Sequence, residues 1–311
     1  MKIKFHIPSF TNNYHVNLLL IKMIKEYPHF FHDGLEIASV YGEFPPSMWN
    51  GGRTTSGVCT NPKDIKHILK TFNDLGVPCR FTFTNPVLEK KHLSDKHCNT
   101  CLALANNGLN EVIVVSPILE KYIRTNYPKY KITSSTCKEI KDFNLLQQEL
   151  EKDYNLVVLD YNWNNNFEML EKLNHKDKCE ILVNACCQPN CSRRREHYKT
   201  IGKTQIEYVN HMTKYPNTPF ESEPFPCEHT SHTIFEIKDF STHISPTDIL
   251  EKYVPMGFEN FKIEGRSFHL LNLVETYMYY MAKPEYRDEA RFTLLLSLQQ
   301  NGVIQTHTIF D

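Results

Sequence analysis

The chain has 311 residues, enough for one large barrel or two average domains, and its 41% hydrophobic and 23% charged residues are typical of a globular protein with a sizeable core. The net charge of −1 excludes a strong overall attraction to nucleic acid or an anionic membrane. Lys2, Lys4 and His6 interrupt the apolar residues of the start, which argues against a signal peptide, and no long apolar run follows, so we expect a cytosolic protein.

Strand-like runs and helical patterns alternate along the chain. Strands are predicted over residues 2–9, 36–43, 79–85, 111–116, 130–136, 156–160, 180–185 and 260–265. Helices are predicted between them over residues 16–27, 62–72, 99–106, 143–152 and 167–173, with a further one starting at Pro117 and with Asn61 as the N-cap of the second. Eight strands alternating with helices predict an α/β fold, and the number eight favours a TIM-like (β/α)8 barrel over a doubly wound sheet.

One interval breaks this rhythm. Residues 199–259 are rich in proline and too long for a simple connection, so we interpret them as an insertion between strands 7 and 8, with Cys227 and a short helix over residues 246–253. Residues 1–269 would form the barrel, and residues 270–311 a C-terminal helical tail packed on it.

Polar residues follow the predicted strands at the ends where a barrel of this type carries its active site. They are Ser9, Asn12, Tyr41, Glu43, Asn85, Ser116, Ser135, Asp160, Asn184, Glu264 and Arg266. Since any barrel shows polar loops on this face, each residue taken singly is better explained as a loop residue than as a catalytic residue.

The ten cysteines are more informative, because in the cytosol they favour metal binding or redox chemistry over disulfides. Strand 7 leads into Cys187 and Cys191, which are separated by three residues and can face one centre. Cys227 lies in the insertion that must return across the same face. Three thiols favour a soft centre, either an iron–sulfur cluster or zinc, and Cys59 after strand 2 is the candidate fourth ligand.

The other cysteines have simpler interpretations. Cys79 and Cys179 precede strands and are expected to be buried in the core. Cys98 and Cys101 lie in a helical pattern, where burial is favoured over a second metal site. Cys186 would point away from Cys187 if the chain stayed extended. The basic cluster after Cys191 is expected to depress nearby thiol pKa values and favour thiolates.

Together these segments resemble the peptidase family U32, which includes bacterial collagenase-like proteins and the oxygen-independent hydroxylases of ubiquinone synthesis and tRNA. The specific parts are the pattern Asn-x-x-Cys-x-x-x-Cys-x-x-Arg-x-x-His-Tyr over residues 184–198, the later Cys227 and the ending Phe-Lys-Ile-Glu-Gly-Arg over residues 261–266. Residues 244–248, the run Trp-Asn-Gly-Gly-Arg over residues 49–53 and the run Phe-Thr-Asn over residues 83–85 are further points of likeness.

The resemblance implies a TIM-like barrel that holds a 4Fe–4S cluster on four cysteines. Cys187, Cys191 and Cys227 match three of them, whereas the fourth, expected just after strand 2, is missing from residues 42–47. Cys59 would replace it, or one iron would stay open. The family's hydroxylases are thought to take oxygen from prephenate, which by likeness alone implies the same donor here.

The leading hypothesis is an iron–sulfur oxidoreductase that hydroxylates or otherwise modifies an aromatic or nucleobase (RNA) substrate without O2. Arg53, Arg195 and Arg266 would pair with carboxylates of the oxygen donor, and His197 and Glu264 would lie beside them in the catalytic site. For each arginine, a salt bridge at the barrel rim is an equally good explanation, for example between Arg266 and Glu43 or Glu264.

Two alternatives stay open. A U32-type peptidase would need a nucleophile and a base, for which Cys187 with His197 is the one pair that suggests itself. A non-catalytic cluster-bearing subunit would work only with a second U32-like subunit. Its interface, or an RNA-binding surface, would use exposed aromatic and basic residues around Tyr198, Lys199 and Tyr208.

Overall fold

The structure is a computed structural model that describes residues 2–53, 56–57, 59–227 and 233–305. Parts of two predicted segments lie outside these ranges. Glu228 and His229, next to Cys227 in the predicted insertion, are among them, as is the end of the predicted tail from residue 306 onward.

Eight parallel strands close into a barrel in which each strand pairs with its neighbours in sequence and β8 pairs with β1. The strands are β1 (Ile3–Pro8), β2 (Leu35–Gly42), β3 (Cys79–Phe83), β4 (Glu111–Val114), β5 (Lys131–Ser134), β6 (Leu156–Val158), β7 (Cys179–Leu182) and β8 (Asn260–Lys262). Each lies within two or three residues of its predicted range, and the predicted TIM-like barrel is confirmed. Cys79 and Cys179 are fully buried at the starts of their strands, as expected.

Helices follow the strands on the outside of the barrel. They are α1 (Tyr14–Glu26), α2 (Pro62–Asp74), α3 (Lys96–Ala105), α4 (Pro117–Asn126), α5 (Phe143–Leu150), α6 (Phe167–Glu171), α7 (Arg194–Lys214), α8 (Ile234–Ile237), α9 (Pro246–Asp248, continued by a π-helix over Ile249–Tyr253), α10 (Leu270–Met281) and α11 (Arg287–Gln300). Asn61 caps α2 as predicted, since its side chain accepts a hydrogen bond from the Asp64 amide. Among the described helices, none combines the length and apolarity that crossing a membrane requires.

The segment after β7 differs from the prediction. Its first part belongs to α7, a helix of 21 residues that was not predicted. The predicted boundary at Lys199 falls inside this helix. The sequence of α7 is mostly polar, and only a few residues such as Ile201, Tyr208 and Val209 face the protein. The apolar stripe that marks a helix in a sequence is therefore weak here. The predicted short helix over residues 246–253 is present as α9 and its π-helical continuation.

The C-terminal region is helical, as predicted, and consists of two helices. α10 and α11 contact each other, and α11 also packs against α1. Buried residues of α10, among them Tyr277 and Tyr280, bond to the barrel: Tyr277 donates to Asn17 Oδ1 at 2.7 Å and Tyr280 to the Val183 carbonyl at 3.2 Å. These helices therefore belong to the barrel's outer layer.

A network of charged side chains fills the barrel interior, where bulky aliphatic residues are usual. We call it the barrel ion network; its members are His6, Arg80, Glu111, Glu180 and Lys262, all buried. Arg80 Nη1 donates to Glu180 at 2.6 Å, and its Nε lies 3.2 Å from Glu111. Lys262 Nζ donates to the other oxygen of Glu180 at 2.8 Å. Two carboxylates thus balance two cations in the centre of the barrel.

Gly202 makes a close contact that a larger residue would disrupt. It lies on α7, and a Cβ there would come within 2.4 Å of Asn85 Oδ1. Asn85 cannot move away easily, because its amide donates to the carbonyls of Met48 and Gly202 and its Oδ1 accepts from Val87. Asn85, one of the polar residues predicted at this face, therefore has a structural role.

We expect Gly202→Ala to lower the free energy of unfolding by about 1–3 kcal/mol, because it overpacks this contact. At an exposed helix position, Gly→Ala normally raises the free energy of unfolding by up to about 1 kcal/mol. The sign of the measured change therefore shows whether the close contact at Gly202 exists. Lys203→Ala, at the neighbouring exposed position, is the control and should change stability by less than about 0.5 kcal/mol. Urea denaturation followed by circular dichroism measures both, and a stabilised Gly202→Ala would contradict the expectation.

Candidate active site

A cavity of about 600 Å³ opens at the carboxyl ends of the barrel strands. Strand residues Tyr41, Thr82 and Lys262 line it from below, and the segment around Phe225 lines it from outside. We call it the thiol cavity, because four cysteines line it: Cys137, Cys186, Cys187 and Cys227. This is the face on which the sequence predicted the site.

The structure brings two of the predicted cluster ligands to one cavity and a third beside them. Cys187 follows β7 and Cys227 follows α7, yet both line the thiol cavity. Cys191 is not among the cavity residues. Burial is the main cause of the raised pKa of Cys187, and Cys191 acts on this thiol in the same direction, so the two sulfurs are neighbours. The insertion therefore returns across the mouth of the barrel, as its predicted role required.

Cys59 lies elsewhere. Its Sγ is 3.6 Å from His97 Nδ1, and Cys101 Sγ is 3.6 Å from the other ring nitrogen of His97. Cys59 is exposed and is not among the cavity residues. Cys98 and Cys101 are buried on α3, the interpretation favoured from the sequence.

Cys186 corrects a sequence expectation. It lines the thiol cavity together with Cys187, instead of pointing away from it. The alternation of side chains holds only along an extended strand, and here β7 ends at Leu182 and the chain turns at Val183 and Asn184. The Cys186 amide donates to Glu264 Oε2 at 3.0 Å, which holds this turn against the end of β8.

The thiols are also less acidic than the neighbouring arginines suggested. Burial raises the pKa of Cys187, and this effect outweighs the Tyr161 hydroxyl, which hydrogen-bonds the sulfur, and the positive charge of Arg194. Burial likewise raises the pKa values of Cys137 and Cys186. The expectation of arginine-stabilised thiolates is wrong for the protein without a bound metal, because desolvation dominates.

Two of the predicted arginines form ion pairs at the rim of the cavity. Arg53 bonds directly to Glu264, whose pKa is lowered because this partner and the Cys186 amide outweigh the effect of burial. Arg266 Nη1 lies 3.1 Å from Glu43, and its Nη2 donates to the Gly51 carbonyl at 3.0 Å. The salt bridge of Arg266 with Glu43, weighed above as a structural role, is therefore present.

Sequence reasoning chose the wrong neighbour among three consecutive arginines. The side chain of Arg195 is 68% exposed and lies 3.8 Å from Glu139, whereas Arg194 is buried and lines the cavity. Arg194 bonds to Asp160, and its guanidinium lies 4.3 Å from the centroid of the Tyr161 ring. The spacing Cys-x-x-Arg in the motif selects Arg194 and could have identified it.

Arg194 retains donors that no described residue accepts. Its Nη1 and Nε have no hydrogen-bond partner in the described part of the chain, although Nε lies 3.6 Å from a Glu139 oxygen. A buried guanidinium with unused N–H groups, on a residue that lines a cavity, is suited to an anionic group of a ligand. Tyr161 and Tyr198, which line the cavity beside it, were also not predicted as site residues.

His197 lines the cavity and stacks on Phe225, with ring centroids 4.4 Å apart. Burial, followed by the charges of Arg53 and Arg193, lowers the pKa of His197, so the ring is neutral near pH 7. Arg193 donates to the Pro226 carbonyl at 2.8 Å and lies over the Phe225 ring. These contacts fix the returning segment, and with it Cys227, over the start of α7.

The surface predicted as an RNA or subunit interface is not formed as expected. Tyr208 is buried and its hydroxyl bonds to the backbone of Gly57, and Tyr198 lines the thiol cavity. Lys199 is exposed. The helical period of α7 turns the two tyrosines inward and leaves the lysine outside.

The fold and the cavity define a parallel (β/α)8-barrel protein with a site of thiols and arginines at the carboxyl ends of its strands. No protein-family model matches the chain, and no curated protein matches it. Among solved structures, the chain is similar to that of the U32 peptidase Mk0906, with 12% sequence identity and a TM-score of 0.49 over 85% of this chain and 94% of that chain. A likeness of this size assigns no activity.

Proposed function

We propose that the chain is an enzyme whose active site is the thiol cavity, and that it acts as an iron–sulfur oxidoreductase of the U32 type. Its reaction would be an oxygen-independent hydroxylation, or a related modification, of an aromatic or nucleobase substrate. The supporting observation is that Cys187 and Cys227, 40 residues apart in sequence, line one cavity at the barrel mouth.

The chemistry of the donors suits a soft metal centre. Cys187, Cys191 and Cys227 would hold the cluster, since thiolates are the usual ligands of iron–sulfur centres. Within the described residues, no three His, Cys, Asp or Glu side chains already stand as a ligand group. Binding would also have to displace the proton that burial keeps on the Cys187 thiol.

When bound, a cluster supplies electron transfer or an iron with an open coordination position. The protein's own residues would bind and orient the substrate. The unused donors of Arg194 would bind a carboxylate, while Arg53 and Arg266, held in their ion pairs, would keep the rim in place. Phe225, Tyr161 and Tyr198 would exclude water and stack on an aromatic ring.

The thiolate–imidazole pair of a peptidase gains no support from these contacts. Cys187 is hydrogen-bonded by the Tyr161 hydroxyl, and His197 is stacked on Phe225. A second U32-like subunit stays part of the proposal as a partner, and co-purification under anaerobic conditions would reveal it.

We expect Cys187→Ser and Cys227→Ser each to lower the iron and sulfide content of anaerobically reconstituted protein several-fold, with loss of the visible absorption of a cluster. Cys59→Ser is the matched control, because Cys59 lies beside His97 and outside the cavity, and it should keep full iron content. Circular dichroism checks that every variant is folded.

Other outcomes would change the assignment. If the wild-type protein contains no iron and one tightly bound zinc ion, the centre is a zinc site and not a cluster. If Cys59→Ser loses iron and Cys187→Ser keeps it, the metal binds near His97 and not in the thiol cavity, which would contradict the proposal.

A further inference from the structure

A lysine lies at the base of the thiol cavity. Lys262 is on β8 and is buried, and Leu182 of β7 is its partner in the strand register. The apolar side chains of Leu182, Ile113 and Val158 line the same cavity. An amine in such surroundings differs from a surface lysine, because it is shielded from water yet faces a space that a ligand can enter.

The contacts of the amine leave it without a carboxylate of its own. Lys262 Nζ donates to Glu180 Oε1 at 2.8 Å and lies 3.9 Å from the centroid of the Tyr41 ring. The other oxygen of Glu180 accepts from Arg80 at 2.6 Å. Glu180 is therefore shared by two cations. It fixes the position of the Lys262 amine but stabilises its positive charge only in part.

The charged and titratable groups that face Lys262 come from several elements: Glu180 on β7, Arg80 on β3, His6 on β1, Tyr41 on β2, and Arg266 after β8. Burial lowers the pKa of Lys262 to about 8, with Arg80 and Arg266 acting in the same direction and Glu180 opposing them. Relative to an exposed lysine with a pKa of 10.5, the neutral fraction of the amine near pH 7 is raised roughly 300-fold. A neutral amine is a nucleophile toward carbonyl carbon.

We propose that Lys262 is a nucleophile that condenses with the carbonyl group of an oxo acid bound in the thiol cavity. The amine nitrogen forms the C=N bond of an imine, and the carbonyl oxygen leaves as water with the two amine hydrogens, so the step consumes no oxidant or reductant. The carboxylate of the oxo acid would bind the guanidinium of Arg194, a residue that lines the same cavity and has N–H groups without a partner among the described residues.

This inference goes beyond the proposed oxidoreductase function and does not depend on it, because imine formation requires no metal. It concerns Lys262 and Arg194, whereas the metal proposal concerns the three cysteines. Trapping of an imine and loss of iron are separate measurements on the same protein, so either can fail without the other.

The test is reductive trapping with glyoxylate and cyanoborohydride on the folded full-length protein, followed by peptide mass spectrometry. We expect the adduct at Lys262 to form at least ~10-fold faster than at the exposed Lys63 of the same molecule. Lys262→Arg keeps the positive charge but cannot form the imine, and its adduct on this peptide should disappear. The ratio of Lys262 labelling to Lys63 labelling is measured within the wild-type protein, so the test does not depend on whether Lys262→Arg folds.

A second probe tests the ligand class. Acetaldehyde carries the carbonyl group but no carboxylate, and we expect its Lys262-to-Lys63 labelling ratio to be at least ~10-fold lower than that of glyoxylate. Equal ratios for the two probes would overturn the assignment of an oxo acid. Labelling of Lys262 no faster than that of Lys63 would overturn the nucleophile itself.

Discussion

Arg80→Met is expected to lower the free energy of unfolding by about 3–5 kcal/mol, because it removes one partner from a buried ion pair and leaves the other charged. Arg80 lies 2.6 Å from Glu180 and 3.2 Å from Glu111, and its side chain is fully buried. In the variant, Lys262 would be the one remaining cation of the barrel ion network, against the two carboxylates of Glu111 and Glu180. Urea denaturation followed by circular dichroism measures the loss.

A matched exposed pair is the control. Lys70 Nζ lies 2.6 Å from Asp74 on the surface of α2, and Lys70→Met should change stability by less than about 0.5 kcal/mol. The double variant Arg80→Met with Glu111→Gln restores the charge balance, so it should be more stable than Arg80→Met alone. Equal stability losses in Arg80→Met and Lys70→Met would show that the network contributes no more than a surface pair.

We expect the free energy of unfolding to fall on acidification because of His6, and to do so in a pH range where most carboxylates are still charged. Arg80 Nη1 lies 2.9 Å from His6 Nδ1, and a guanidinium only donates, so Nδ1 must accept and the ring is neutral. We assign the ring proton to Nε2, which lies 3.3 Å from Asn260 Oδ1. Burial lowers the pKa of His6 to about 3, with Arg80 and Lys262 reinforcing this effect and Glu180 opposing it.

The sign follows from proton linkage. The unfolded histidine has a pKa near 6.5, so between roughly pH 6.5 and pH 3 the unfolded state binds more protons, and stability falls as the pH falls. Above that range the contribution of His6 to stability is constant. Between pH 6.5 and pH 5 the expected loss from His6 alone is roughly 2 kcal/mol.

The measurement compares the pH dependence of unfolding in wild type and His6→Gln. Gln can still accept a hydrogen bond from Arg80 but does not titrate, so the variant should lose roughly 2 kcal/mol less than wild type between pH 6.5 and pH 5. Other histidines with a lowered pKa, such as the half-buried His243 with its pKa lowered to about 4, act in both proteins and cancel in the difference. Parallel pH curves would contradict the neutral, buried His6.

The candidate site was predictable only in outline. Cys187, Cys227, His197, Glu264 and Arg53 line the thiol cavity as their positions after strands and in the insertion suggested. Which of several adjacent residues faces the cavity was not predictable, because it depends on where a strand ends and a helix begins. The turn after β7 brings Cys186 inward, and the rotation of α7 buries Arg194 and exposes Arg195.

The sequence by itself determined the barrel, because the hydrophobic periodicity that marks each of the eight strands is a local signal, as is the cap Asn61 of α2. It also determined the face of the site, since parallel strands present their carboxyl ends together. The barrel ion network was decided only by the tertiary structure. Arg80, Glu111, Glu180 and Lys262 each look like a single charge in an apolar strand. Only closure of the barrel shows that these four charges meet and neutralise one another, with the neutral ring of His6 beside them.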